Sequence, residues 1–200
     1  EQAWARLLSP VLRLRDLLSP GPVDQKEGPE FFGSEATYPR LADRPDVLVF
    51  QTPALTEAME VTGPMTVHLW ISSSAPDTDF TAKLIDVHPA NEDYPEGFDM
   101  LLNDSIIRCR YREGYDKEVF LSPGQVVPVT IVLPPTSNLF GRGHRIRVDI
   151  SSSNWPRLDL NPNTGEPMGR HTHTVPAEQR VYSDAARPSY ILLPVIPGQG

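Results

Sequence analysis

Four groups of side chains have the types and spacing that chemistry would need. His171-Thr-His173 sets two imidazoles two residues apart, so on a strand both would face the same way and offer two metal ligands. No third ligand is well placed, since Asp159 and Glu178 are only loosely positioned, and two surface histidines in a polar loop are the simpler reading. Asp77-Thr-Asp79, with Asp86 further on, offers oxygen atoms of the kind calcium takes. That spacing lacks a dense carboxylate cluster and equally suits side chains that cap turns. Arg108, Arg110 and Arg112, spaced by two, would share one strand face, either solvated or salt-bridged. Cys109 falls within the alternation Ile107–Cys109–Tyr111 and is expected to be a small buried residue rather than a catalytic thiol.

Nucleophilic and phosphate chemistry lack their usual scaffolds. A serine nucleophile on an α/β fold requires a G-x-S-x-G elbow between strand and helix, and the nearest text, Phe32-Gly33-Ser34-Glu35, lacks the second glycine. Neither a G-x-x-x-x-G-K-[ST] loop nor a G-x-G-x-x-G fingerprint occurs. No cofactor and no metal are therefore expected. Trp70 and Trp155 could stack on sugar rings, although two separated tryptophans more often fill a sheet face or a domain contact.

The elements that must position these residues read as strands. The chain has 22 prolines in 200 residues, about twice the usual share, and they fall between apolar runs. Proline breaks helices and cannot donate to a ladder, so this spacing predicts many short strands joined by turns. Residues 45–200 alternate with period two. The runs are Val47–Val49, Met59–Val61, Met65–Ile71, Phe80–Val87, Ser105–Arg112, Val127–Leu133, Ile146–Ile150, Glu178–Tyr182 and Tyr190–Val195. Turn signals at Gly63-Pro64, Pro123-Gly124, Gly141-Arg142-Gly143 and Asn161-Pro162-Asn163 separate them. About nine such strands without helices between them predict two packed antiparallel sheets.

Residues 1–44 differ. Trp4, Leu7, Leu8, Val11, Leu12 and Leu14 recur at near-helical spacing around Pro10, which predicts one or two helical turns. Residues 19–44 are rich in Pro, Gly and acids and read as a connecting segment on a surface. The chain starts with Glu, which suggests a fragment or a processed product.

Charge and length narrow the partners. A net charge of −8 argues against nucleic acid, which needs a basic surface. No apolar run approaches the ~20 residues that span a bilayer, so no membrane contact is expected. A single cysteine rules out an internal disulfide; it fits the cytoplasm and also permits secretion. Oligomeric state stays open, and a homo-oligomer is one alternative.

One stretch leads further. Gly143-His-Arg-Ile-Arg-Val-Asp-Ile-Ser-Ser-Ser153 runs into a loop containing Trp155 and Asn161-Pro-Asn-Thr-Gly165. With Glu60-Val-Thr-Gly-Pro64 and Asp77-Thr-Asp-Phe-Thr-Ala-Lys-Leu-Ile-Asp-Val-His-Pro89, these motifs cover most of residues 45–196. They resemble, in the same order, the C-terminal domain of the X-Pro dipeptidyl-peptidase and cocaine esterase family. Gly21-Pro-Val-Asp-Gln25 resembles the lead-in that precedes it.

The resemblance implies an all-β jelly-roll sandwich, similar to galactose-binding domains, joined to an α/β-hydrolase domain of the same polypeptide. The Ser–His–Asp triad would belong to that domain, so this chain is expected to hold no catalytic residue. A small ester or peptide substrate would meet it only through the parent. Candidate pocket or domain contacts are Leu17 and Leu18 in the lead-in and Trp155, Asn161, Asn163 and Thr164 in the loop. The loop residues could instead bond their own backbone. A free-standing sugar-binding module and an oligomerisation domain are the rival readings.

Overall fold

The computed structural model describes residues 24–26, 36–37, 39–155 and 157–198. The helical turns expected over residues 1–18, with Leu17 and Leu18, lie outside the described residues.

Among the described residues there are nine strands, two of the alternating runs merging in β2 and the last splitting into β8 and β9: β1 (Leu48–Gln51), β2 (Met59–Ser73), β3 (Asp79–His88), β4 (Phe98–Arg108), β5 (Val127–Phe140), β6 (Arg145–Ser151), β7 (Gln179–Tyr182), β8 (Tyr190–Leu192) and β9 (Val195–Ile196). They form two antiparallel sheets. One has the order β1-β6-β3-β4. In the other, β2 pairs with β5 along one side and with β7, β8 and β9 in succession along the other.

The inward residues of both sheets make one core. Val61, Met65, Val67, Leu69 and Ile71 of β2 meet Val129, Ile131 and Leu133 of β5 on one layer. Phe80, Ala82 and Leu84 of β3, with Ile146, Val148 and Ile150 of β6, supply the other. The two layers pack as a β-sandwich, the expected outcome of period-two patterning with one apolar face per sheet.

Gly63-Pro64 was expected to separate two strands, yet β2 runs through it. The ladder shifts register there, with Gly63 opposite Thr136 and Met65 opposite Leu133, so Pro64 lies opposite Pro134 and Pro135. Three residues without an N–H thus meet where the ladder is already interrupted, which is where a sheet tolerates proline. A Cβ on Gly63 would come within 3.1 Å of Pro194, and its φ of 138° suits only glycine.

The four-stranded sheet carries charge on its outer face. Arg147 Nη1 donates to Asp99 Oδ2 at 2.7 Å, and Arg147 Nη2 donates to Asp149 Oδ2 at 3.2 Å, all three side chains being buried. Burial pushes the Asp149 carboxyl above its ordinary value and holds the neighbouring Lys83 ammonium below its own. Asp24 and Gln25 cover part of this face. Gln25 is buried, its N–H donates to Asp99 O at 2.9 Å, and its Oε1 accepts from Lys83 Nζ at 3.1 Å. The Asp24 carboxylate accepts the Asp99 N–H at 3.1 Å.

Candidate functional site

The motif residues converge at the end of the sandwich where β3 begins and β4 stops. Asp77 and Asp79 are both withdrawn from solvent, and buried carboxylates need compensating charge. The arginines supply it. Arg108, Arg110 and Arg112 do not share a strand face as expected, because β4 ends at Arg108 and Cys109–Tyr111 form a single 3₁₀ turn. That turn rotates successive side chains apart. Arg108 grips Asp79 with two parallel bonds of 2.8 Å, from Nε to Oδ1 and from Nη2 to Oδ2. Arg110 Nε donates to Asp77 Oδ2 at 2.8 Å, while its Nη1 and Nη2 donate to Glu118 Oε1 and Glu166 O, each at 3.0 Å. Arg112 Nη1 donates to the carbonyls of Cys109 and Val119.

The loop after β6 closes over this network. Asn161 Nδ2 donates to Asp77 Oδ2 at 2.9 Å and to Asp79 Oδ1 at 2.8 Å, so one amide bridges both acids. Its Oδ1 accepts the Asn163 N–H at 2.9 Å, a local turn of the kind asparagine favours. Asn163 sits at φ 63°, a left-handed conformation that asparagine tolerates, and its Nδ2 donates to Val175 O at 2.9 Å. Thr164 Oγ1 donates to Glu166 Oε2 at 2.9 Å, and Thr172 Oγ1 donates to Glu166 Oε1 at 2.9 Å. Bonds from Thr172 and then Thr164 hold the Glu166 carboxyl below the usual carboxylate range.

Asn161, Asn163 and Thr164 are therefore brought together, with their polar atoms turned onto the loop and the buried acids. Trp155 stands apart. It is 52% exposed, and residues on either side of it bind one carboxylate: Asn154 Nδ2 meets Asp104 Oδ2 at 2.6 Å and Arg157 Nη2 meets Asp104 Oδ1 at 3.0 Å. The indole is thus presented outward on an anchored turn. Leu160, Met168, Phe120 and Tyr115 are also exposed in this group of loops. The Arg110 guanidinium lies 5.0 Å from the Phe120 ring centroid.

Cys109 is buried, and its thiol is pushed up to about 12 by burial, with Asp77 and Asp79 adding to the shift. His171 and His173 are exposed, and His173 Nδ1 lies 3.6 Å from Glu166 Oε2. Asp86 does not join Asp77 and Asp79 in a calcium site. Those two acids are occupied by arginines at the start of β3, whereas Asp86 lies near its far end.

Asp86 instead meets two histidines that the sequence reading did not single out. His144 Nδ1 is 2.8 Å from Asp86 Oδ1, His88 Nε2 is 3.5 Å from Asp86 Oδ2, and the imidazole centroids are 4.2 Å apart. The i, i+2 spacing of Asp86 and His88 on a strand was the available signal; His144 arrives only through the pairing of β3 with β6. Burial holds the His88 imidazole below its ordinary value, Asp86 opposes that shift, and His144 adds to it.

Comparison with known proteins places the chain. Residues 12–192 match the X-Pro dipeptidyl-peptidase C-terminal non-catalytic domain. The chain is 40% identical over 178 residues to the cocaine esterase of Rhodococcus sp. (strain MB1 Bresler), an alignment that takes in 88% of this chain and 28% of that protein. Among solved structures it superposes on an α-amino acid ester hydrolase with a TM-score of 0.75 and 35% identity, covering 88% of this chain and 31% of that one. An aminopeptidase from a marine sediment Thaumarchaeota archaeon gives a TM-score of 0.73 at 32% identity, covering 88% of this chain and 32% of that one. The chain thus spans less than a third of the length of each.

Proposed function

Because the chain belongs to the family of X-Pro dipeptidyl-peptidase C-terminal non-catalytic domains, we propose that it is the accessory β-sandwich of a larger serine hydrolase. Its partner is an α/β-hydrolase domain in the same polypeptide, and its role is to pack on that domain and help shape the substrate pocket. The observation that carries this reading is the match to a non-catalytic domain over residues 12–192, combined with the small share of each hydrolase relative that the chain covers.

The parent would act by acyl transfer. A serine on the hydrolase domain forms an ester intermediate, with an oxyanion hole beside it. The sandwich contributes a wall that excludes water and limits substrate shape. Two features support assigning that wall to the loop after β6. Asn161 is tied to the buried Asp77 and Asp79 and Asn163 to the Val175 carbonyl, bonds that hold the loop's shape without a partner. The loop's apolar side chains, Trp155 and Leu160, face outward. Leu17 and Leu18 of the lead-in are assigned to the same wall on the sequence reading.

The test compares this chain with the full-length protein on a chromogenic acyl ester and an X-Pro anilide. The expected result is an inert chain and an active full-length enzyme labelled by a serine-directed phosphonate. Turnover by the chain alone would overturn the proposal.

A further inference from the structure

A cluster of ligating side chains closes the end of the sandwich opposite the Asn161 loop. We propose that Asp86, His88 and His144 form a binding site for a divalent first-row transition metal ion, with zinc as the best match. One carboxylate and two imidazoles are a donor set for such ions, whereas calcium and magnesium take oxygen ligands.

The geometry is close to what an ion requires. One donor atom from each of the three residues lies within 4.8 Å of the others, and the Asp86–His144 contact of 2.8 Å is a hydrogen bond whose proton the ion would replace. Bonds of about 2.0 Å in a tetrahedron place donor atoms roughly 3.3 Å apart. The Asp86–His144 contact would open by about 0.5 Å, His88, now 3.5 Å from Asp86, would need little movement toward it, and the two imidazoles would draw together, leaving a fourth position for water.

Three further observations point to a ligand. His88 Nε2 is buried and has no hydrogen-bond partner, which is costly for an imidazole nitrogen unless something else satisfies it. Asn138 Nδ2 donates to Asp86 Oδ2 at 3.1 Å, so the carboxylate is oriented from β5 in the opposite sheet, as ligating carboxylates commonly are. The third is the seat of His144. Its N–H donates to Gly141 O at 3.1 Å, its carbonyl accepts from Leu55 at 2.8 Å, and its ring lies against Gly141. A Cβ at Gly141 would fall 2.8 Å from His144 Nε2, so a side chain there would displace the ring that now aims Nδ1 at Asp86. A bound ion would pin β3 to the β5–β6 turn and act as a structural clip.

The test titrates the chelator-treated chain with Co²⁺ and Zn²⁺. One equivalent of Co²⁺ should produce visible d–d absorption that Zn²⁺ displaces, and Zn²⁺ should raise the thermal midpoint by mass action. His88→Gln and His144→Gln should each weaken binding at least about tenfold, and Asn138→Ala should weaken it by a similar factor through the carboxylate it orients. His171→Gln/His173→Gln removes the two exposed loop histidines and should leave binding intact. Where His144→Gln fails to fold, His88→Gln and Asn138→Ala decide the outcome. Absence of stoichiometric binding, binding unchanged in His88→Gln, or binding lost only in the His171→Gln/His173→Gln variant would each overturn the site.

Discussion

Arg110 and Asp77 form an ion pair from which water is wholly excluded: both side chains are 0% exposed and their Nε–Oδ2 distance is 2.8 Å. The same guanidinium also holds Glu118 and the Glu166 carbonyl, so a single side chain joins the start of β3, the end of β4, the segment before β5 and the loop after β6. Such a pair adds little net stability over a well-packed apolar substitute, yet it is expensive to break by halves.

Arg110→Met therefore leaves Asp77 buried without its counter-charge and should cost about 3–5 kcal/mol. The reading is a lowered urea midpoint at unchanged slope. The Asp77→Ala/Arg110→Met double variant should lose less than the two single losses combined, because the second change removes the stranded charge. Additive losses would mean that the two residues do not act as a pair.

Asn161 is the link that ties the loop to this network. Asn161→Ala removes the donor shared by Asp77 and Asp79 and should cost about 1–3 kcal/mol, with faster proteolytic cleavage within residues 157–176. Asn161→Asp should be worse, since it adds a third carboxylate beside two buried ones. A protease pattern unchanged in both variants would show that the loop is held by other bonds.

The Cys109 thiol gives a prediction with pH. Its folded value of about 12 lies above its ordinary 9.0, so burial favours the neutral thiol. The stability it contributes is fully present below the unfolded value and is lost as pH rises through the folded one. Wild-type stability should fall between pH 9 and 12 more steeply than that of Cys109→Ala. Alkylation of native protein in mildly alkaline buffer should be slow and should accelerate with added urea. Rapid labelling of the native chain would contradict the buried thiol.

The two-sheet sandwich and most strand positions were legible because period-two burial is a local property, although β4 begins at Phe98 and not at Ser105, where the alternation was read. Leu69 and Ile71 can face only one core once Trp70 faces outward. Cys109 is buried as expected, although it opens a 3₁₀ turn and does not continue the strand alternation on which it was read. The arginine positions were not legible, because extending the alternation through Arg112 missed the 3₁₀ turn at Cys109, where Asp77 receives the Arg110 N–H at 2.9 Å. The turn is set by a partner more than thirty residues away. Pro64 was misread for a related reason, since its tolerance depends on Pro134 and Pro135 across the ladder. The Asp86–His88–His144 cluster needed sheet register to be seen at all. Local pattern carries the fold, and long-range pairing carries the sites.

Trp155 tests the assignment of the domain contact. The indole is 52% exposed on a turn anchored at both sides through Asp104, so removing it leaves little behind to collapse. Trp155→Ala should change the stability of this chain by no more than about 0.5 kcal/mol, the range of an ordinary surface substitution. In the full-length protein the same substitution should lower the thermal midpoint or alter the ratio of kcat/KM between small and bulky acyl esters. The contrast between the two backgrounds isolates a contact made outside the sandwich. An equal loss in both would place the role of Trp155 within this fold, and no change in either would remove it from the pocket wall.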